Sequence, residues 1–343
     1  MAKKQHTNAP AKRRFIATTG VPDIPALLTG IKEKNAAILA KAITLIESTR
    51  PQDFKPAQEL ITECLKVTSK SIRIGITGVP GVGKSTFIEA FGSYLTNLGK
   101  KVAVLAVDPS SSITKGSILG DKTRMEKLAK DPNAFIRPSP AKDSLGGTAK
   151  RTRETIILCE AAGFDIILVE TVGVGQSETM VHSMVDFFLL LKLAGAGDEL
   201  QGVKRGIMEM ADALVINKAD GANLKAVKLA MSEFKRALHL YPPKTNDWIP
   251  EVTSCSSLNA IGIDSIWEMI ERFLVITQQN SSFEKNRIQQ QKDWFTQTIE
   301  EGLKSRFFNS DGVQETIKKY LTQIENKTLT PVVAASQLLE EFS

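Results

Sequence analysis

Ile72-Arg73-Ile74-Gly75-Ile76-Thr77-Gly78-Val79-Pro80-Gly81-Val82-Gly83-Lys84-Ser85-Thr86 is a short β-rich run that ends in a glycine-rich turn and passes directly into a helical stretch, Ser85 to Leu98, closed by Gly99. From Gly78 the string fits G-x-x-x-x-G-K-[ST] and lies between a strand and a helix, where the mechanism needs it. Glycines allow backbone N–H groups to wrap phosphates without a Cβ in the way, and the helix N-terminus adds its positive end. Gly78, Val79, Pro80, Gly81, Val82, Gly83, Lys84, Ser85 and Thr86 are therefore expected to hold a nucleotide's phosphates. Lys84 is expected on the β- and γ-phosphates and the Ser85 hydroxyl on Mg²⁺.

On either side of this string, strands and helices alternate. Val102 to Val107, Ala134 to Ile136, Asp165 to Val169, Ala213 to Asn217 and Glu251 to Ser254 read as buried strands, several of them separated by helical segments. Nearly all-apolar strands alternating with helices predict an α/β fold, a mostly parallel sheet covered by helices on both faces. Residues from Ile24 to about Thr68 read as helical, broken at Arg50-Pro51, and strand signals stop after about Thr277. Helices are expected from Phe283 to Leu303 and Gln314 to Ile324, with a last one starting at Pro331. The expected division is a flexible basic tail over 1–22, an N-terminal helical extension over 23–70, a nucleotide-binding domain over 71–278 and a C-terminal helical arm over 279–343.

The 343 residues carry 44 Lys+Arg against 38 Asp+Glu, a net charge of +6. Lys3, Lys4, Lys12, Arg13 and Arg14 precede the first acid, Asp23; taking those five away leaves 39 cations against 38 anions. A nearly neutral body argues against a nucleic-acid partner, which needs a basic face. The longest apolar runs, such as Phe187 to Leu191, fall far short of the roughly 20 residues of a membrane span, so no membrane partner is expected. Cys64, Cys159 and Cys255 form no C-x-x-C pair, which fits a reducing, cytoplasmic setting. Were the acid-free tail a transit peptide, the mitochondrial matrix would be the alternative; clustered basic pairs and Pro10, Pro22 and Pro25 speak against it.

Three more segments carry chemistry. Asn217-Lys218-Ala219-Asp220 follows the strand from Ala213 and fits N-K-x-D, in which a carboxylate accepts from the N1–H and exocyclic N2–H₂ of guanine, groups adenine does not offer in that pattern. Asp220 should thus select GTP/GDP, with Ser254, Cys255, Ser256 and Ser257 at the next strand end supplying further contacts to the base. Glu170 ends the strand from Asp165, and Gly173 follows three residues later, an acid for Mg²⁺ or its water and an N–H for the γ-phosphate. Gln176 could orient water but stands three positions beyond Gly173, with Val174 directly after that glycine, so hydrolysis is expected to be slow and open to acceleration by a partner. Asp108 closes the strand from Val102, and Asp121 lies in the polar loop beyond it; both are candidates for the metal shell with Ser85 and Glu170, or for water activation.

Taken together, these segments resemble the MeaB/MMAA family of P-loop GTPases, also called ArgK/MeaB. The match rests on GVPGVGKST (78–86), VAVLAVDPSSS (102–112), GSILGDKTRM (116–125), VETVGVGQSE (169–178), GDELQGVKRGIMEMAD (197–212) and NKAD (217–220). The resemblance implies a homodimer joined by its C-terminal helices. It also implies a GTPase chaperone that gates adenosylcobalamin delivery to methylmalonyl-CoA mutase, or a related acyl-CoA mutase, and protects that enzyme. It assigns Asp108, Asp121 and Glu170 to the surroundings of Mg²⁺ and the reacting phosphate, and Leu193 to Lys204 to a switch facing the mutase. Ser257 departs from the family, which more often has Ala there, leaving Asp220 as the main source of guanine selectivity. No D-x-H-x-x-G segment of the kind that ligates cobalamin occurs in the chain. Two other readings stay open: an ATPase energising amino-acid (lysine, arginine, ornithine) transport, against which N-K-A-D speaks, and a metal-insertion GTPase, which usually needs soft-ligand clusters.

Overall fold

The computed structural model describes residues 22–107, 125–138, 145–171, 176–195 and 205–342. Three helices open the described chain: α1 (Ile24–Lys32), α2 (Ala36–Ile46) and α3 (Pro51–Leu65). Each start has a local cause. The Asp23 carboxylate accepts from Ala26 N–H and the Asn35 side chain from Ala37 and Ile38 N–H, while Pro51 begins α3 with its ring already set to a helical φ.

The strands are β1 (Ile72–Gly78), β2 (Val102–Val107), β3 (Ala134–Arg137), β4 (Ile166–Thr171), β5 (Phe187–Leu193), β6 (Ala213–Asn217) and β7 (Glu251–Ser254). Among the described residues they form one sheet in the order β3-β2-β4-β1-β5-β6-β7, and every pairing is parallel. The parallel α/β sheet predicted above is thus present, with one strand more than the sequence reading assigned. β5, seen there only as an apolar run, lies between β1 and β6. Its Phe187 and Leu189 pack into one core and Phe188 into the opposite one, so it is apolar on both faces and shows no alternation to read.

The connecting helices are α4 (Lys84–Asn97), α5 (Leu145–Ala161), α6 (Gln176–His182), α7 (Arg205–Met210), α8 (Leu224–Leu238) and α9 (Ile263–Gln279). Strand side chains alternate between two cores. Val102, Val104, Ile166, Leu168 and Leu189 meet α4 and α9, whereas Ala103, Leu105, Ile167 and Val169 meet α5, α6 and the three N-terminal helices. A third cluster seats α7 and α8 on Leu190, Leu214 and Ile216. Three helices end the chain: α10 (Ser282–Phe308), α11 (Val313–Glu325) and α12 (Pro331–Glu341). Among the described residues, no helix is long and apolar enough to cross a membrane.

Candidate functional site

At the C-terminal end of the central strand, β1 runs into residues 79–83 and then into α4, whose first helical residue is Lys84. Two glycines here are required by geometry. Gly83 has φ +96°, and a Cβ on it would lie 2.8 Å from Asn217 Nδ2; at Gly78, with φ +151°, a Cβ would come within 2.6 Å of the Leu191 carbonyl. The Lys84 ammonium donates to the carbonyls of Gly78 (2.7 Å) and Val79 (3.3 Å), so it lies folded along the loop. Burial lowers the pKa of Lys84, and the carboxylates of Glu170 and Glu178 act in the opposite direction.

The Ser85 hydroxyl donates to Glu170 Oε1 at 3.3 Å, and Glu170, at the end of β4, is buried. A hydroxyl and a carboxylate at this spacing are hard oxygen donors, and they fit Mg²⁺ rather than a softer metal. Beneath them, Thr171 Oγ1 donates to Thr77 Oγ1 at 2.8 Å, and Thr77 Oγ1 donates to Glu178 Oε1 at 3.4 Å.

On the other side of the loop, β6 delivers Asn217. Its Nδ2 donates to the Val82 carbonyl (2.9 Å), and its Oδ1 accepts from Ser257 Oγ (2.7 Å) and Ser257 N–H (3.2 Å). The Lys218 ammonium, on a residue with φ +58°, donates to the Gly81 carbonyl at 3.0 Å. Asp220 accepts a short hydrogen bond from the Ser256 hydroxyl. Cys255 N–H donates to the Ile216 carbonyl, and its own carbonyl accepts from Ala219 N–H, both at 3.0 Å, which fixes the segment after β7 beside the N-K-x-D segment. Burial pushes the Cys255 thiol up to about 11, so it stays protonated at neutral pH.

The structure thus brings Gly78 to Ser85, Glu170, Asn217, Lys218, Asp220 and Ser254 to Ser257 to one end of the sheet. Asp108, Asp121, Gly173, the Gln176 side chain and residues 196–204 of the Leu193 to Lys204 segment lie outside the described residues. Three participants were not singled out from the sequence: Thr77, Thr171 and Glu178. For Glu178 a signal existed, an acid beside the apolar pair Met180-Val181 in a seven-residue helix, where solvent exposure is the ordinary expectation for a carboxylate.

Comparison with known proteins agrees with this geometry. The model of the family described as "Methylmalonyl Co-A mutase-associated GTPase MeaB" matches residues 39–311. The chain is similar to "Probable GTPase Rv1496" of Mycobacterium tuberculosis, with 47% identity over 92% of this chain and 94% of the relative. GTPase ArgK of Escherichia coli is 45% identical over 90% of this chain and 94% of its own length. The mitochondrial methylmalonic aciduria type A homolog of Mus musculus is 42% identical, over 93% of this chain and 79% of that protein. Among solved structures, one titled "Crystal structure of LAO/AO transport system kinase" superimposes with a TM-score of 0.75 at 38% identity, covering 92% of this chain and 96% of that one. A phosphate loop, a tethered N-K-x-D segment and matches that span most of the chain lead to one assignment: the chain belongs to the MeaB family of P-loop GTPases.

Proposed function

We propose that this GTPase is a Mg²⁺-dependent chaperone of an adenosylcobalamin-dependent acyl-CoA mutase, methylmalonyl-CoA mutase first among them, and that the cycle of GTP binding and hydrolysis sets its hold on that partner. The observation that carries the nucleotide part is Asn217: one side chain joins the phosphate loop at Val82 to the base segment at Ser257. A nucleotide lying across it would place its phosphates over Gly78 to Thr86 and its base at Asp220. The mutase part draws its support from the family's description and from the name of the mouse relative.

In this reading the loop N–H groups and Lys84 bind the β- and γ-phosphates, and Lys84 exchanges its carbonyl partners at Gly78 and Val79 for phosphate oxygens. Ser85 and Glu170 would hold Mg²⁺, with Asp108 and Asp121 as the further acids of that shell, and when bound it would supply neutralisation of charge on the triphosphate. Asp220 accepts from guanine N1–H and N2–H₂, and the backbone around Ser254 to Ser257 closes over the base. Gly173 senses the γ-phosphate, Gln176 positions water, and residues 193–204 carry the outcome to the partner. Two copies join through the C-terminal arm, residues 279–343.

Asp220→Asn tests the base assignment directly. The substitution turns one acceptor into a donor, so affinity should move from GTP toward xanthine nucleotides by about tenfold or more in each direction; GTP affinity equal to that of the unaltered protein would overturn it. Turnover of GTP measured with purified candidate mutases then identifies the partner as the one that accelerates it. The transport-kinase title of the similar structure suggests a second reading, an ATPase of amino-acid uptake. Asp220 speaks against it, and tight ATP binding without GTP binding would favour it.

A further inference from the structure

Glu178 is 6% exposed, and Thr77 and Thr171 are fully buried. Their side chains come from three elements that have no covalent reason to meet: Thr77 is the residue before Gly78 on β1, Thr171 is the residue after Glu170 on β4, and Glu178 lies on α6, the helix that follows residues 172–175. The hydrogen bonds run in one line, from Thr171 Oγ1 to Thr77 Oγ1 at 2.8 Å and from Thr77 Oγ1 to Glu178 Oε1 at 3.4 Å. A hydroxyl that donates once and accepts once makes Thr77 a relay between the other two.

We propose that Glu178 is a positioning residue for the triphosphate reaction: it fastens α6 to the strand end that launches the phosphate loop and, through Thr77 and Thr171, to the strand end that carries Glu170. The proposal rests on the nucleotide reading above and deepens it, because nothing in the phosphate-loop or N-K-x-D motifs assigns this acid. Its location gives the reason. A carboxylate removed from water is costly, and an apolar residue would fill a buried place more cheaply, so the acid is informative where it stands. Glu178 also lies close enough for its charge to act on Lys84 alongside that of Glu170. With α6 fastened at this point, the strand end that carries Glu170 and the strand end that leads to Lys84, the groups assigned above to Mg²⁺ and the γ-phosphate, are held in register with one another. With Glu178 removed, α6 no longer holds them.

A purely structural carboxylate and a positioning one differ in what their loss does to diphosphate and triphosphate. In the full chain, we compare GDP affinity, affinity for a non-hydrolysable GTP analogue with Mg²⁺, and the kcat and KM of GTP turnover for the unaltered protein, Glu178→Gln, Glu178→Ala and Thr171→Val. Glu178→Ala should lower kcat and analogue affinity by about tenfold, with GDP affinity changed less than about threefold. Glu178→Gln, which still offers an oxygen to Thr77, should recover most of that loss. Thr171→Val should lower kcat severalfold, and adding it to Glu178→Ala should cost nothing further, as two breaks in one line do. Equal losses for GDP and the analogue, a Gln variant no better than Ala, or additive effects of the two substitutions would overturn the proposal while leaving the nucleotide site standing. If Glu178→Ala does not fold, Gln and Thr171→Val carry the test. Failure of the unaltered protein to bind either nucleotide would instead overturn the site reading, and this proposal with it.

Discussion

Asn217 has a double duty that its place in N-K-x-D does not disclose. The motif spacing marks it as part of a base-reading segment, and its side chain also joins Val82 on the phosphate loop to Cys255 and Ser257 on the base segment. The phosphate loop itself was legible because its demands are local: a positive φ, no Cβ, a helix start, all within one contiguous string. Glu178 was not, because its role depends on where β1 and β4 end in space. The same contrast yields a prediction within the loop. Gly83 and Gly81 both have positive φ, +96° and +81°, but a Cβ at Gly83 meets Asn217 Nδ2 at 2.8 Å, whereas a Cβ at Gly81 meets nothing within 4 Å. Gly81→Ala therefore carries backbone strain alone, about 1 kcal/mol, and Gly83→Ala adds displacement of the Asn217 tether. GDP titration should show a loss of tenfold or more for Gly83→Ala and a clearly smaller one for Gly81→Ala. Equal losses would mean that the tether is not coupled to phosphate binding.

Helix α10 fits no amphipathic pattern that places its apolar side on its own chain. Arg287, Gln290, Trp294 and Gln297 recur at heptad-like spacing and face the nucleotide-binding domain: Arg287 binds Asp186 (2.6 and 2.8 Å) and the Ser71 carbonyl (2.8 Å), and Gln290 donates to the Val185 carbonyl (2.7 Å). Arg153 stacks on Trp294 and donates to Gln297. Hydrophobic periodicity correctly indicated a helix but could not show which side docks, since the docking side is the polar one. β5 failed to be read for a related reason: with both faces buried and strands on both edges, it loses the period that identifies half-buried strands. Where α10 docks, Glu160 accepts two hydrogen bonds from Arg73 and one from Ser71, each at 2.8 Å, with Arg287 at 3.7 Å. Burial raises the Glu160 pKa, but Arg73 foremost, with Arg287 and Ser71, outweighs this and holds it below its ordinary value of 4.5. A depressed folded-state pKa contributes stability that is present above the unfolded value and lost as pH falls through the folded one. Chemical unfolding from pH 6 down to pH 3 should therefore show the advantage of the unaltered protein over Glu160→Gln shrinking below about pH 4.5. An advantage that stays constant over that range would show that Glu160 does not draw its stability from ionisation.

Viewed as one body, the described chain has its polar side of α10 seated and its apolar side turned outward. Ile288, Phe295, Ile299 and Leu303 are spaced seven, four and four residues apart, which puts them on one stripe, and Phe295 is 69% and Leu303 61% exposed. Farther along the arm, Leu321, Val332 and Leu339 are exposed as well. Apolar exposure of this extent along consecutive helices is unusual for a surface that meets only water. The proposed homodimer gives it an occupant, a second copy of the same arm, and an isologous joint of that kind places the stripe against itself. Because Ile299 and Leu303 are both exposed on their own chain, changing them should dissociate the pair without unfolding either member. Ile299→Glu combined with Leu303→Glu sets carboxylates at the centre of the stripe. If the arm forms the joint, light scattering should report the unaltered protein at twice the mass of the chain and the double variant at one, with melting of the monomer's nucleotide domain shifted by no more than a few degrees and GDP affinity retained. A double variant that keeps the dimeric mass would place the joint elsewhere on the molecule. The same variant also separates two routes by which a mutase could accelerate turnover: stimulation that survives in the monomer acts through residues 193–204 of a single chain, and stimulation that vanishes requires the paired arms.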